Sequence, residues 1–478
     1  MTQPLWTVDA MIAAMGAEVS GAPHEAITGI SIDSRSLMPG DAYFAIKGDV
    51  HDGHAFVDSA LAKGAALAVV AKGKRGDFAA DARLLLVDDV LAGLEDLGRA
   101  SRARLSGQVI AVTGSVGKTS TKEMLRGVLT AQGETHASIA SFNNHWGVPL
   151  TLARCPATVA YAVFEIGMNH AGEIATLVRM VRPHLAVITT VEPVHLEFFS
   201  GIQAIADAKA EIFQGVERGG AVVLNRDNPQ FARLRKHAKA AGIPRIISFG
   251  EHAKADARLR DVALHPACSA VHATILKQDV TYKLAIPGRH MAMNSLAVLA
   301  LAQLAGCDLA VAALTLSRVA PAAGRGQRRP LDVSGGEATL IDESYNANPA
   351  SMAAALAVLG RSSVEGKGRR IAVLGDMLEL GPDGGKLHRG LIDAVNDNDV
   401  DLVFCCGPLM RHLWDALSSG KRGGYANDAA SLESQVVGAI RAGDVIMVKG
   451  SLGSKMKSIV VTLEKRFPGS AALDDAAV

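Results

Sequence analysis

The sequence predicts an α/β protein of three domains, and three observations lead there. Its 478 residues amount to about three domains at roughly 150 residues each. Short continuous apolar runs such as 109–112, 159–165 and 186–190 alternate with helical patterns, as in a parallel sheet covered on both faces. Linker-like composition at 102–107 and in Pro321-Ala-Ala-Gly-Arg-Gly-Gln-Arg-Arg-Pro330 divides the chain into 1–107, 108–323 and 324–478.

The first block holds strands at 42–46 and 68–70 and a helix at 55–63, punctuated by the turn Met38-Pro39-Gly40-Asp41. The second opens on the strand 109–112. It continues through helices at 122–129, 174–180 and 202–213 and strands at 159–165, 186–190 and 221–224, and closes on a helix at 293–305. The third carries strands at 338–341, 371–374, 402–406 and 445–448 with helices between them and a closing helix at 454–467. This is the pattern of a smaller doubly wound, Rossmann-like domain.

Composition narrows the function. Lys plus Arg number 49 against 48 Asp plus Glu, and only 4% of residues are aromatic. Neither a basic surplus nor stacking platforms point to nucleic acid. The five cysteines have no Cys-x-x-Cys spacing, so neither a disulfide framework nor a zinc site is expected. The N-terminus has no basic n-region, and the longest apolar stretch, 296–302, is too short to span a bilayer. A soluble, cytoplasmic protein without stable membrane insertion is expected.

The clearest chemical motif is Thr113-Gly114-Ser115-Val116-Gly117-Lys118-Thr119-Ser120, between an apolar strand and a helix. Backbone N–H groups of such a loop converge on phosphate oxygens, and the helix N-terminus adds positive potential. Lys118 would neutralise the outer phosphates of ATP, and the Thr119 hydroxyl would bind Mg²⁺. The match is the shorter form of the loop, because Val112 stands where the full Walker pattern has its first glycine. Glu165 ends an apolar strand, so its carboxylate faces the crevice where nucleotides bind in such sheets. No Asn-Lys-x-Asp guanine signature accompanies the loop.

With these residues in hand, the chain resembles the Mur ligase family along essentially its whole length. The shared motifs are 111–119, Glu165-Ile-Gly167 and Gly288-Arg-His-x-x-x-Asn294. Asp33-Ser34-Arg35, Pro39-Gly40-Asp41 and Asp52-Gly53-His54 are similar to the uridine-nucleotide domain of its last two members. Ser344-Tyr-Asn-Ala-Asn-Pro349 and Gly375-Asp-Met-x-Glu379-Leu-Gly381 resemble the members that add D-alanyl-D-alanine. The ligase that adds the third amino acid has Tyr-Ala-His-Thr-Pro instead.

The resemblance implies a central P-loop ATPase domain, a C-terminal Rossmann-like ligase domain and an N-terminal UDP-substrate domain. It implies an ADP-forming amide-bond ligase acting through an acyl-phosphate, with UDP-N-acetylmuramoyl-tripeptide and D-alanyl-D-alanine as substrates and a monomer as the working form. Lys118, Glu165, His195, Lys209 and Arg325 are the implied catalytic residues. Two Mg²⁺ sites involve Thr119, Glu165, His195 and a Lys209 carbamylated by CO₂. Asn294 matches an adenine contact, and Asp342 and Glu343 an acidic pair near the ribose. Ser34, Arg35, Asn143, Asn144, Tyr345 and Asn346 fall on the substrate side. Two positions depart from the family: Met291 follows His290 where asparagine is common, and Asp342-Glu343 replaces Asp-Asp.

Overall fold

The computed structural model describes residues 4–24, 26–139, 141–194 and 196–469. Among the described residues three large sheets, beside a two-stranded pair of Trp6–Thr7 with Ala26–Ile27, carry the chain, and each large sheet has an apolar interior that follows from its sequence pattern. In the N-terminal sheet the strand order is Glu18–Ser20, Leu84–Val87, Leu67–Ala71, Asp41–Phe44, Gly29–Ser31. All pairs are parallel except the first. Leu67 to Val70 are buried without interruption because helices cover both faces.

The helix Val90–Arg104 starts on Asp89, whose carboxylate accepts from the Ala92 N–H at 2.7 Å. It runs further than its composition suggests, so 102–107 is not the free linker the sequence predicts. The Arg102 guanidinium is buried and donates to the carbonyls of Val181 (2.7 Å) and Arg182 (2.6 Å). Arg104 lies 3.6 Å above the Trp6 ring and donates to Leu5 and Cys155 carbonyls. These arginines rivet the N-terminal sheet to the central one; in the sequence they look solvated because their partners are backbone groups.

The central sheet has nine strands, in the order Gln278–Leu284, Ser269–Ile275, Ala257–Leu264, Arg245–Gly250, Ala221–Asn225, Leu185–Ile188, Gln108–Thr113, Tyr161–Glu165, Thr135–Ala137. Neighbours are parallel from Thr135–Ala137 as far as Ala257–Leu264, and two antiparallel pairings follow. Along Gln108–Thr113, Ile110 and Val112 pack with Met124, Leu125 and Leu296 on one face. Val109 and Ala111 pack with Phe164 and Val178 on the other, the period-two alternation of a strand. The helices Lys118–Thr130 and Arg289–Leu304 lie together on the first face.

The C-terminal sheet runs Gln327–Val333, Gly336–Glu343, Val445–Lys449, Arg370–Gly375, Leu402–Cys406, Arg422–Ala426. Its first pair is antiparallel and the others are parallel. The linker is therefore shorter than the Pro/Gly/Arg-rich stretch implies, since Gln327 to Pro330 already belong to an edge strand. Pro330 is tolerated there because an edge strand has one side free of ladder bonds.

Candidate active site

Strand Gln108–Thr113 feeds a loop that turns sharply into helix Lys118–Thr130. Gly114 and Gly117 have φ of 149° and 86°, which only glycine adopts freely. A Cβ at Gly114 would overlap the Thr189 hydroxyl, and one at Gly117 would lie 2.7 Å from Asn294 Nδ2. Gly114→Ala should therefore deform the phosphate loop. The expected result is loss of nucleotide binding in calorimetry from a protein that still melts cooperatively.

The loop floors a cavity of about 340 Å³ lined by Ser115 to Ser120, Asn294, Arg325 and Glu343. Lys118 Nζ donates to the Gly114 carbonyl at 2.7 Å. Burial holds its pKa below the ordinary lysine value and Arg325 pushes the same way, against the pull of Glu165. A half-buried lysine and an arginine lining the same cavity suit an anion. Thr119 is fixed by its own hydroxyl, which donates to Glu165 Oε2 at 2.9 Å and lies 3.2 Å from Ser141 Oγ. Glu165 is 1% exposed; its other oxygen accepts from Asn143 Nδ2 at 2.8 Å. Hydroxyl and carboxylate oxygens are the donors magnesium prefers.

A second cavity of about 360 Å³ opens beside the first, lined by Glu165, Asn143, Arg325, Tyr345 and Asn346 and by Leu378 to Leu380. Arg325 stacks its guanidinium 4.4 Å from the centre of the Tyr345 ring, so the end of the linker stands between the two cavities. A third cavity, about 880 Å³, lies between the N-terminal and central sheets and is lined by Asp33, Ser36, Ile139 and Phe142.

Other residues singled out in the sequence lie apart from these walls. Lys209 is 2% exposed in helix Ile202–Ala210, and neither a hydrogen bond nor an ion pair engages it among the described residues. Its pKa falls well below the usual lysine value, first through burial and then through Lys118. Asp342 faces neither cavity. Its buried carboxylate accepts from Ser344 Oγ (2.6 Å) and Lys457 Nζ (2.7 Å), so it braces the loop that carries Tyr345. Asn144 caps helix Gly147–Ala153 through the Gly147 N–H at 2.9 Å. Arg35 is exposed and pairs with Asp33 at 2.7 Å, and the Ser34 carbonyl accepts from Lys63. His195 lies outside the described residues.

The structure adds residues the sequence reading passed over. Lys449, 3% exposed at the end of a parallel strand, holds Glu343 at 3.2 Å and the Asn346 carbonyl at 2.9 Å. Glu192 lines the first cavity, accepts from Thr190 Oγ1 at 3.0 Å, and has its pKa raised by burial. Lys122 is fully buried and donates to the Ser138 carbonyl at 2.7 Å, anchoring the segment that bears Ser141 and Asn143.

Comparison with known proteins agrees with this arrangement. Three family models match in order: the Mur ligase family catalytic domain over residues 26–101, the Mur ligase middle domain over 112–302, and the Mur ligase glutamate ligase domain over 324–452. The UDP-N-acetylmuramoyl-tripeptide–D-alanyl-D-alanine ligase of Rickettsia prowazekii is 31% identical, with 95% of this chain and 99% of that protein covered. The chain belongs to the Mur ligase family. The ligase of the same name from Bacillus subtilis is 33% identical to this Mur ligase over 91% of the chain and 93% of its own length. A crystal structure of MurF from Acinetobacter baumannii superposes on it with a TM-score of 0.82 at 28% identity, covering 96% of this chain and 99% of that one. MurF from Thermotoga maritima in complex with ADP gives 0.74 at 27% identity, covering 91% and 97%.

Proposed function

We propose that this Mur ligase joins D-alanyl-D-alanine to UDP-N-acetylmuramoyl-tripeptide, yielding the pentapeptide, ADP and phosphate for peptidoglycan. The observation that carries the reading is near-full-length relatedness to ligases of that name, supported by two adjoining cavities that share Lys118 and Arg325. The first suits the ATP, and the second suits the meeting of acyl-phosphate and amine. The third, lined by Ile139 and Phe142 as well as Asp33, has room for the uridine diphosphate end of the donor.

A carboxylate must be activated before an amine can attack it, and here an anion must approach a polyanion. Lys118 and Arg325 stand where both charges converge and offset the repulsion. Bound Mg²⁺ would supply further charge neutralisation and orient the phosphates; Thr119 and Glu165 are its proposed ligands, joined by His195 and a carbamylated Lys209 at a second ion. Lys209 fits that role because a neutral buried amine reacts with CO₂, whereas an ammonium cannot. Transfer of the terminal phosphoryl group gives an acyl-phosphate and ADP. The free amine of the dipeptide attacks the acyl carbon, and the tetrahedral intermediate expels phosphate. Tyr345, Asn346 and the loop 378–380 line this space, and shielding it from water would protect the acyl-phosphate from hydrolysis.

ATP as a reactant and five unpaired cysteines favour the cytoplasm, and no described helix is long and apolar enough to cross a membrane. A monomer is the proposed working form. The test is ADP release with a panel of acceptors. D-alanyl-D-alanine should support turnover on a UDP-muramoyl-tripeptide, and L-alanine or a single diamino acid should not, because a site built for a dipeptide leaves polar groups unpaired with a shorter acceptor. Equal rates with a single amino acid would assign the chain to a neighbouring step.

A further inference from the structure

The wall of the second cavity is pinned by two side chains: His388, which lies behind it, and Ser451, which is itself among the lining residues. After strand Arg370–Gly375, two successive amides find side-chain acceptors rather than backbone ones. Met377 N–H donates to His388 Nε2 at 2.9 Å, and Leu378 N–H donates to Ser451 Oγ at 3.0 Å. Both acceptors are remote in sequence and buried, at 0% and 4% exposure. His388 sits in helix Gly384–Arg389 with Nδ1 2.6 Å from the Gly384 carbonyl. That contact fixes the tautomer: Nδ1 carries the proton, and Nε2 keeps its lone pair for Met377.

Ser451 ties a second loop to the first. Its hydroxyl donates to the Ala347 carbonyl at 3.3 Å, and its N–H donates to the Asp376 carbonyl at 3.0 Å. Ala347 and Leu378 thus share one hydroxyl, and both loops line the cavity. The arrangement holds a strained residue: Glu379 has a φ of 62°, unfavourable for a glutamate. The two pinned amides lie immediately before it in the chain.

We propose that His388 is a positioning residue for the acceptor, setting the loop 377–380 without touching the dipeptide, while Ser451, at the cavity wall, ties that loop to 344–348. The proposal rests on reading the second cavity as the acceptor site. Around His388 stand Asp376, whose Oδ1 is 4.0 Å from Nε2, and His412. Burial and His412 lower the His388 pKa, against the Gly384 carbonyl and Asp376, so the ring stays an acceptor.

The experiment is steady-state kinetics on the full chain, varying dipeptide and ATP separately. His388→Leu and Ser451→Ala each remove one acceptor of a buried N–H. Each should raise KM for D-alanyl-D-alanine about tenfold and leave KM for ATP within about twofold. His388→Gln places an amide oxygen near the position of Nε2 and should recover most of the loss. A merely structural role would shift both KM values together and show no such rescue, and either result overturns the proposal. Should His388→Leu fail to fold, His388→Asn, whose shorter side chain does not reach the Nε2 position, is compared with His388→Gln: equal dipeptide KM values in the two overturn the proposal. Wild-type ADP release with the acceptor panel is read first. If another acceptor supports turnover there, the function proposed above fails by itself, and the same KM comparison is made with that acceptor.

Discussion

Lys118→Ala should lower kcat by a factor of about 10²–10³, the equivalent of roughly 3–4 kcal/mol, the range found when one preorganised electrostatic donor is removed from a transition state. The side chain makes one hydrogen bond, to Gly114 in its own loop, and fills no apolar core, so the melting temperature should change little. Its ammonium is half-buried and shares both cavity walls with Arg325. Partial burial limits how far water dilutes its pull on a phosphate. The measurement is single-turnover ADP formation alongside a thermal melt. Near-wild-type turnover would show that the phosphates lie elsewhere, whereas a large fall in melting temperature would make the loss of activity uninformative. Lys118→Arg should recover little, because the longer planar guanidinium cannot place a point charge where the ammonium sits.

Much of the fold was legible because a parallel sheet buried on both faces is written as unbroken apolar runs. The stretch Val109 to Val112 and the segment Leu402–Cys406 can be read in no other way once helical patterns flank them. The strands from Arg245 to Leu284 escaped notice for the opposite reason. Ala-Arg-Leu-Arg-Asp-Val-Ala-Leu has one solvated face and a register shift between Leu259 and Asp261, which breaks its alternation. Charged residues misled at the boundaries, where Arg102 found carbonyls instead of water.

At the site, a loop motif announces itself through spacing, but a lone side chain on a strand or helix does not. Lys449 ends the strand Val445–Lys449 as Glu165 ends Tyr161–Glu165, so the rule that picked out the glutamate would have found the lysine too. Lys122 gave no such signal: a lysine one turn into a helix looks solvated, and only the fold brings the Ser138 carbonyl to it. Asp342 shows the reverse error. An acidic pair beside a nucleotide motif suggests two ligand contacts, yet adjacent residues on a strand point to opposite faces. Only Glu343 of the two lines the cavity, while Asp342 turns back to Ser344 and Lys457.

Lys209→Ala should lose most activity, and a short carboxylic acid such as formate or acetate in the buffer should restore part of it. The reasoning begins with charge. A lysine 2% exposed, with no hydrogen-bonding or ion-pairing partner among the described residues and with Lys118 adding repulsion, is costly to keep protonated. The neutral amine can attack CO₂, forming an N–C bond and releasing a proton, and the resulting carbamate is an anionic oxygen donor suited to magnesium. Its negative charge would also offset that of Lys118, so the modification removes an electrostatic conflict as well as creating a ligand. The sign of the pH effect follows. In the unmodified protein the folded-state pKa lies below the unfolded one, so the unfolded chain binds more protons between the two values. Stability therefore rises with pH across that window and is lowest below it. Lys209→Met, which keeps the apolar stem and removes the amine, should then flatten that part of the stability-versus-pH curve. At neutral pH it should melt no lower than the parent freed of CO₂, while remaining inactive. Mass spectrometry under mild conditions, or ¹³C-bicarbonate NMR, should show the carbamate in the parent and not in either variant. Full activity of Lys209→Ala without any additive would reduce Lys209 to a packing residue and remove the second magnesium from the mechanism.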